Sequence, residues 1–424
     1  MMVFKFGGAS VKDANAVKNV VDIIQNYKDE SLVVIISAMD KTTNHLEKLL
    51  EKYLHERDAF PAYLKKIKDF HYGIIDELFD QDYSIVYDDI ESQFLDLEFY
   101  FDFDSNKEQD ETYLYDQVVS YGEVLSTKIV SHYLLYQGFK NKWIDARNMV
   151  ITDREFKNAS VDWETTTALL QRKLKHILKN FPIITQGFIG STIDRHTTTL
   201  GREGSDFSAA IFAHALDAKA VKIWKDVPGI LNADPKKFED TVKFDELSYQ
   251  EAIEMAYYGA KVLHPKTIKP LQNKQIPLEV RSFIEKDQKG TFIEEDVAVN
   301  KRIPIIISKE NQALIRLSSR DFSFMEEHNL SKIFKSMSEH GTHLNVMKTS
   351  AISFSFATDD KKEALNGLIN CLSDSFEVSY TAGLSLITVR YYNKKTIEKL
   401  TQNKKVLLEQ VGENTIQLIV GSEA

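Results

Sequence analysis

Val3-Phe4-Lys5-Phe6-Gly7-Gly8-Ala9-Ser10 opens the chain, and Leu32-Val33-Val34-Ile35-Ile36 follows a helical stretch. Two apolar runs without polar alternation read as strands buried on both faces. Between them Val17, Val20, Val21 and Ile24 fall at i, i+3, i+4 and i+7, which gives the intervening helix one apolar face. A strand, a Gly-Gly turn, a helix and a second buried strand make a β-α-β unit, and such units build a parallel sheet covered by helices. The predicted class is therefore α/β.

Working outward, residues 46–137 read as a helical insertion, with an aromatic stretch at Phe94, Leu95, Leu97, Phe99, Tyr100 and Phe101. Such a stretch is expected to pack a helical hairpin against the sheet or a partner subunit. Strand and helix then alternate from Trp143 to Val280, with buried-strand runs at Pro182 to Thr185 and Ala220 to Ile223, so the first domain is expected to end near residue 297. Ser248 and Glu251 have capping-box spacing at the start of one further helix. Beyond Pro304 the order reads strand (313–317), helix (330–338), strand (343–347), strand (352–357), helix (361–372), strand (376–380). That is the β-α-β-β-α-β order of ferredoxin-like folds. A strand at 384–391, a short helix near Thr396 and strands near Val406 and Ile416 suggest a second, incomplete copy.

Composition narrows the function. With 424 residues and a net charge of −10 the chain holds more than one domain and has no broad basic surface for nucleic acid or an anionic bilayer. Its single cysteine, Cys371, rules out an intramolecular disulfide and a cysteine-rich metal site. No cluster has metal-ligand spacing, so no protein-held metal is expected. The chain enters its first strand without a secretory signal and contains no membrane-length apolar run, so a cytoplasmic location is expected.

Three segments carry candidate chemistry. Lys5 ends a strand, and Gly7-Gly8 precede a helix, where backbone N–H groups and the helix dipole can approach a phosphate. Gly201-Arg202-Glu203-Gly204-Ser205-Asp206 precedes a helix predicted over Phe207 to Leu216, with Ser205 or Asp206 as its cap. Trp224-Lys225-Asp226-Val227-Pro228-Gly229-Ile230 follows a strand and holds a turn signal. Each alone is also compatible with ordinary packing, capping or turning.

Together, in their order along the chain, the segments resemble the aspartate kinases of the amino-acid kinase family. The resemblance covers most of residues 1–297 and includes Ser37-Ala38 with Thr43-Asn44, Ser120-Tyr121-Gly122-Glu123, Gln186-Gly187-Phe188, Leu200 to Asp206, Asp234-Pro235 and Gly259 to Pro265. It implies a three-layer αβα sandwich with a mainly parallel central sheet, followed by a ferredoxin-like ACT region at 304–424. It implies ATP with Mg²⁺ as phosphoryl donor and L-aspartate as acceptor. Lys5, Gly7, Gly8 and Lys261 would meet the ATP phosphates, with Lys225, Asp226, Leu231 and Lys236 around the nucleotide. Ser37, Thr43, Glu123, Arg202, Glu203, Gly204 and Ser205 would surround aspartate, and Asp206 would orient Lys5, the two forming the catalytic pair.

The chain departs from that pattern in places. Ala9 replaces a commoner threonine, and Lys225 replaces a threonine beside Asp226. The carboxy-terminal stretches Leu330 to Phe334 and Leu344 to Ser350 resemble effector-binding ACT domains, yet Asn345 and Ala351 stand where lysine-sensing members carry acidic residues. An amino-acid effector there, or an ACT pair serving only dimerisation, both fit, and a homodimer is expected. Two competing readings are an N-acetylglutamate kinase and a catalytically silent amino-acid sensor. Glu123 opposes the first, because an acetylated amine has no charge to pair. Retention of Lys5, Glu123, Arg202 and Asp206 together opposes the second.

Overall fold

The computed structural model describes residues 1–80, 83–102, 109–260, 263–295, 297, 303–320 and 323–422. It divides into two compact units, one made of Met1–Ile230, Lys243–Ile253 and Val262–Val297, the other of Leu231–Val242, Glu254–Lys261 and Ala298–Ala424.

In the first unit the chain runs β1 (Met2–Phe6), α1 (Ala14–Gln25), β2 (Leu32–Ile36), then four helices: α2 (Thr42–His55), α3 (Phe60–Leu78), α4 (Ser84–Asp102) and α5 (Glu111–Tyr136). There follow β3 (Lys142–Ile144), α6 (Trp163–Ile177), β4 (Ile183–Gln186), β5 (Ile189–Ser191), β6 (Thr197–Thr199), α7 (Gly204–Ala215) and β7 (Ala220–Lys225). The elements β8 (Glu246–Ser248), α8 (Tyr249–Tyr257), α9 (Pro265–Asn273), β9 (Leu278–Ser282) and β10 (Thr291–Glu294) complete the order. The main sheet has eight strands in the order β3-β4-β2-β1-β7-β9-β10-β8. Its pairs are parallel except β9 with β10. Because β1 lies between β2 on one side and β7 on the other, the chain winds away from β1 in both directions. In open sheets of this kind ligands bind outside the carboxyl ends of the strands at such a point.

Burial explains why these segments fold as they do. Val3 and Phe4 on β1 and all five residues of β2 are fully covered, as continuous apolar runs require. On α4 the side chains of Phe94, Leu97 and Phe101 are buried while Leu95 and Phe99 stand exposed, so the aromatic stretch is one helical face at i, i+3 and i+7. Ser248 Oγ accepts a hydrogen bond from Glu251 N at 3.1 Å, the cap expected for α8.

Two local expectations are corrected. The Gly-Gly turn leads into a short 3-10 turn, Gly8–Val11, and α1 begins later with its own cap, Asp13 Oδ1 accepting from Ala16 N at 2.8 Å. The amino terminus of α1 is therefore already satisfied, and only the 3-10 turn follows Lys5 directly. Helix α7 starts at Gly204 rather than Phe207, and Glu203, not Ser205 or Asp206, is its first flanking residue. The Asp206 carboxylate is drawn away from the helix end by cations described below.

The second unit carries β11 (Ile305–Ser319), α10 (Glu327–Glu339), β12 (Val346–Thr349), β13 (Ser353–Asp359), α11 (Lys362–Ser373) and β14 (Phe376–Arg390), then α12 (Lys394–Thr401), β15 (Lys404–Val411) and β16 (Thr415–Ser422). The six strands form one antiparallel sheet ordered β12-β13-β11-β14-β16-β15. The strands expected separately at 376–380 and 384–391 are one strand, β14, running through Gly383 at φ +70°. Its partner β11 absorbs the irregularity with register shifts between Lys309 and Leu314. The first β-α-β-β-α-β set is complete. The second shares β11 and β14 and has α12 as its helix.

Candidate active site

Lys5 sits near the end of β1 and pairs in register with Ile223 of β7, so Lys5, Ile223 and Lys225 project from the same side of the sheet. Phe6 and Trp224, on the opposite side, stack with ring centroids 5.8 Å apart in the core. Alternation along two neighbouring strands thus turns two lysines outward while anchoring their strands with aromatic rings.

Both lysines meet Asp206 from the first turn of α7. Lys5 Nζ lies 2.7 Å from its Oδ1, and Lys225 Nζ lies 3.4 Å from its Oδ2. The carboxylate is buried. Burial alone would raise the Asp206 carboxyl, but the two ammoniums outweigh it and hold the group below its usual range.

The glycines of this region are set by close approach. A Cβ on Gly8 would lie 2.8 Å from the backbone oxygens of both Ala38 and Asp40, and one on Gly187 would lie 2.5 Å from Ser205 Cβ. Hence β1, the loop after β2 and the start of α7 can converge only with glycine at those points. In α5, a Cβ on Gly122 would lie 3.0 Å from Ala38 Cβ, so glycine lets the helix pack closely there, and Ser126 Oγ donates to Ser37 O at 2.7 Å. This pins Glu123 beside the loop that carries Ser37 and Thr43. The Glu123 carboxyl is fully buried and pushed up to about 8, chiefly by desolvation, against which backbone hydrogen bonds and the Lys5 charge pull downward. Its Oε2 has no hydrogen-bond partner, and neither has Oε2 of Glu203. Buried polar atoms normally find partners, so an orphan in a cleft points to a ligand that supplies one.

Arg202 is exposed on a bent segment between Gly201 at φ +76° and Glu203 at φ +54°. A left-handed glutamate costs conformational energy and recurs at functional positions. The segment is held in place from the side. Buried Asp116 on α5 accepts from Lys157 N at 3.1 and 3.0 Å, from Thr199 N at 2.8 Å and from Thr199 Oγ1 at 2.7 Å.

These groups line one cleft of about 520 Å³. It gathers Lys5, Gly8, Ser37, Thr43, Glu123, Arg202, Glu203, Gly204, Ser205, Asp206 and Lys225. Gly7 lies alongside, its Cβ direction 3.4 Å from Lys5 Nζ. Asp226 is exposed one residue past β7 and does not line the cleft. Leu231 and Lys236 belong to the second unit, and Lys261 lies outside the described residues. The sequence reading missed Asp40, Glu47, Tyr115 and Lys157, which also line the cleft. It also missed the anchoring role of Asp116. One signal was present: Asp116 and Glu123 are two carboxylates seven residues apart on one face of a long helix.

Among the described residues no group of three His, Cys, Asp or Glu side chains is placed to hold a metal ion.

Residues 1–282 match the model of the amino acid kinase family. The lysine-sensitive aspartokinase 3 of Escherichia coli (strain K12) is 31% identical over 396 residues, covering 92% of this chain and 86% of that protein. The chloroplastic bifunctional aspartokinase/homoserine dehydrogenase 2 of Arabidopsis thaliana is 32% identical over 404 residues, and there the chain spans 91% of itself but 43% of the relative. The crystal structure of E. coli aspartokinase III in complex with aspartate and ADP superposes with a TM-score of 0.84 at 28% identity, covering 99% of this chain and 96% of the other.

Proposed function

This chain belongs to the aspartokinases of the amino acid kinase family, and from that premise we propose that it transfers the γ-phosphoryl group of ATP to the β-carboxylate of L-aspartate, giving 4-phospho-L-aspartate. The observation that carries the reading is the juxtaposition of the Lys5–Asp206–Lys225 cluster with a buried Glu123 carboxyl whose Oε2 has no hydrogen-bond partner, in one cleft.

In this reading Glu123 receives the α-ammonium of aspartate and Arg202 grips its α-carboxylate in a two-pronged pair. The β-carboxylate is left to face the nucleotide. With a reference pKa of about 3.9 it is already ionised at neutral pH, so no general base is required. One of its oxygens forms a bond to the γ-phosphorus, the bond to the bridging oxygen breaks, and ADP leaves with the electron pair. Catalysis is then alignment and charge neutralisation. Lys5 supplies the positive charge, and Asp206 aims it. Ser37, Thr43, Gly204 and Ser205 complete the aspartate side, with Glu203 shaping the bend. Gly7, Gly8 and Lys261 serve the phosphates, and Asp226, Leu231 and Lys236 serve the nucleoside. Mg²⁺, bound to the phosphates, would supply charge neutralisation and orientation of the triphosphate.

We read 304–424 as an ACT region for dimerisation and an amino-acid effector, and the protein as a cytoplasmic homodimer with no nucleic-acid or membrane partner. The product is the first intermediate on the way to lysine, threonine, methionine and diaminopimelate. The test is ADP release from Mg-ATP with L-aspartate, N-acetyl-L-glutamate or no amino acid, trapping acyl phosphate with hydroxylamine. Aspartate-dependent hydroxamate is expected. Turnover with N-acetyl-L-glutamate alone, or none by folded protein, would overturn the reading.

A further inference from the structure

A second recess lies on the first unit and shares no lining residue with the cleft. Helix α9 gives it Lys266, Lys269, Pro270 and Asn273, which fall at i, i+3, i+4 and i+7 on one helical face. Helix α7 adds Phe207 and His214, seven residues apart, and α6 adds its first residue, Trp163. The Trp163 ring meets Phe207 and His214 with centroids 6.1 and 5.1 Å away and planes inclined at 67° and 65°. His214 Nδ1 donates to Pro270 O at 2.9 Å, which ties these rings to α9. The recess holds about 420 Å³, a size that suits a small organic molecule.

Its charge is one-sided. Lys266 and Lys269 stand about one turn apart, and among the described residues no aspartate or glutamate lines the recess. Asp162, just before Trp163, is spent on capping α6, its Oδ1 accepting from Thr165 N at 3.1 Å and its Oδ2 from Thr165 Oγ1 at 2.6 Å. Fixed rings beside two ammoniums, with no carboxylate to match them, fit a flat aromatic body that carries a negative group.

One wall of the recess also supports the Arg202 bend. Ala159, Ser160 and Val161 line it, and immediately before them Asn158 Oδ1 accepts from Lys266 Nζ at 2.6 Å. A Cβ on Gly201 would lie 2.7 Å from that same Oδ1, and Ala159 N donates to Thr199 O at 2.9 Å. An anion that draws Lys266 to itself takes the ammonium from Asn158, whose side chain sits against the residue before Arg202.

We propose that this recess is an accessory site for a small aromatic anion, and that its occupation weakens aspartate binding through Lys266, Asn158 and the Gly201–Arg202 bend. The site itself is independent of the aspartate-kinase reading; its effect on aspartate rests on that reading.

The experiment titrates the full chain with anilinonaphthalene sulfonate, an aromatic anion whose fluorescence rises on binding, and with phenylnaphthylamine, its uncharged counterpart. Lys269→Glu, on the exposed side of α9, should weaken the sulfonate about tenfold and leave the uncharged compound within about twofold. Trp163→Leu should weaken both about fivefold. In the hydroxamate assay, saturating sulfonate should raise the KM for aspartate about fivefold or more and leave the KM for ATP within about twofold. Saturating aspartate should weaken the sulfonate by the same factor, because coupling is reciprocal. Asn158→Ala should bind the sulfonate within about threefold of wild type and lose its effect on aspartate. Sulfonate binding that ignores both Lys269→Glu and Trp163→Leu, or that ATP displaces, overturns the proposal. So does an aspartate KM that the bound sulfonate leaves unchanged. If Trp163→Leu does not fold, judged by circular dichroism, Lys269→Glu decides alone. Absence of aspartyl hydroxamate from the wild type would defeat the aspartate-kinase reading, while the titrations would still decide whether the recess is a site.

Discussion

The cleft of the first unit and a polar cluster in the second unit are built from the same kinds of side chain, but only one of them is finished. In the second unit Lys309 Nζ donates to Asn345 Oδ1 at 2.9 Å, while Asn345 Nδ2 donates to Gln312 Oε1 at 2.7 Å and to Asp359 Oδ1 at 3.0 Å. Gln312 Nε2 adds a bond to Asp359 Oδ1 at 2.9 Å. Each polar group there answers another. In the cleft, buried oxygens of Glu123 and Glu203 go unanswered, and two ammoniums share one carboxylate. A satisfied network stiffens its unit, whereas an unsatisfied one stores a demand that a charged ligand meets. In the proposed reading, the ammonium and carboxylate of aspartate answer Glu123 and Arg202, and a phosphoryl group answers Lys5.

Removing the cation at the centre of the unfinished site should have the largest effect. Lys5→Ala is expected to lower kcat by on the order of 10³, read in the hydroxamate assay, because phosphoryl transfer depends on such charges. Retained turnover would mean that the cleft is not the transfer centre.

Glu123→Gln separates binding from stability. The KM for aspartate should rise at least about 30-fold, the cost of truncating one side of a buried charge pair. The stability change should have the opposite sign. The wild-type carboxyl moves from an ordinary 4.5 to about 8 in the fold, so the native protein keeps a proton that the unfolded chain releases. Native stability without ligand therefore falls as pH rises between those values. Glu123→Gln lacks that loss and should melt roughly 5 °C or more above wild type at pH 8, with no advantage at pH 4. A lower melting temperature at pH 8 would show that Glu123 is a finished structural group.

Asp116→Ala should destabilise the first unit by about 2–4 kcal/mol, because it strands three donors around a buried site. Chemical denaturation measures this, and the KM for aspartate should rise with it as the Arg202 bend loses its support. Smallest is Asn345→Ala, expected to cost about 1–2 kcal/mol in the second unit and to leave kcat without effector unchanged. A large change in kcat would show that the finished cluster also takes part in turnover.

How much of this was legible before the structure depends on whether the signal was periodic. The apolar runs of β1 and β2 and the face of α1 were plain, since burial imposes a repeat. The stretch from Phe94 to Phe101 was legible as a packing segment, but not that Phe94, Leu97 and Phe101 would be its buried members and Leu95 and Phe99 its exposed ones. Lys5, Glu123 and Arg202 are scattered along the chain, and family resemblance rather than spacing grouped them. The unmet Oε2 of Glu123 was invisible, because it arises from how closely α5 packs on the loop at Ala38, a contact between residues far apart in the chain. The α7 start was misread because Asp206 looks like a helix cap in sequence, while in space it is claimed by two lysines. In β14 the residues between Tyr380 and Leu384 were read as a gap between two strands, but β11 pairs with the chain before and after them, through Thr381 and from Leu384, and so carries one strand across.

In the proposed site Glu123 waits, largely protonated, for an ammonium. Calorimetric titration of L-aspartate into the protein at pH 7, in buffers of different ionisation enthalpy, tests it directly. With the carboxyl pushed up to about 8 in the free protein, binding should release most of a proton per site, and Glu123→Gln should abolish that release. Aspartate binding without proton release in the wild type, or undiminished release in the variant, would contradict it.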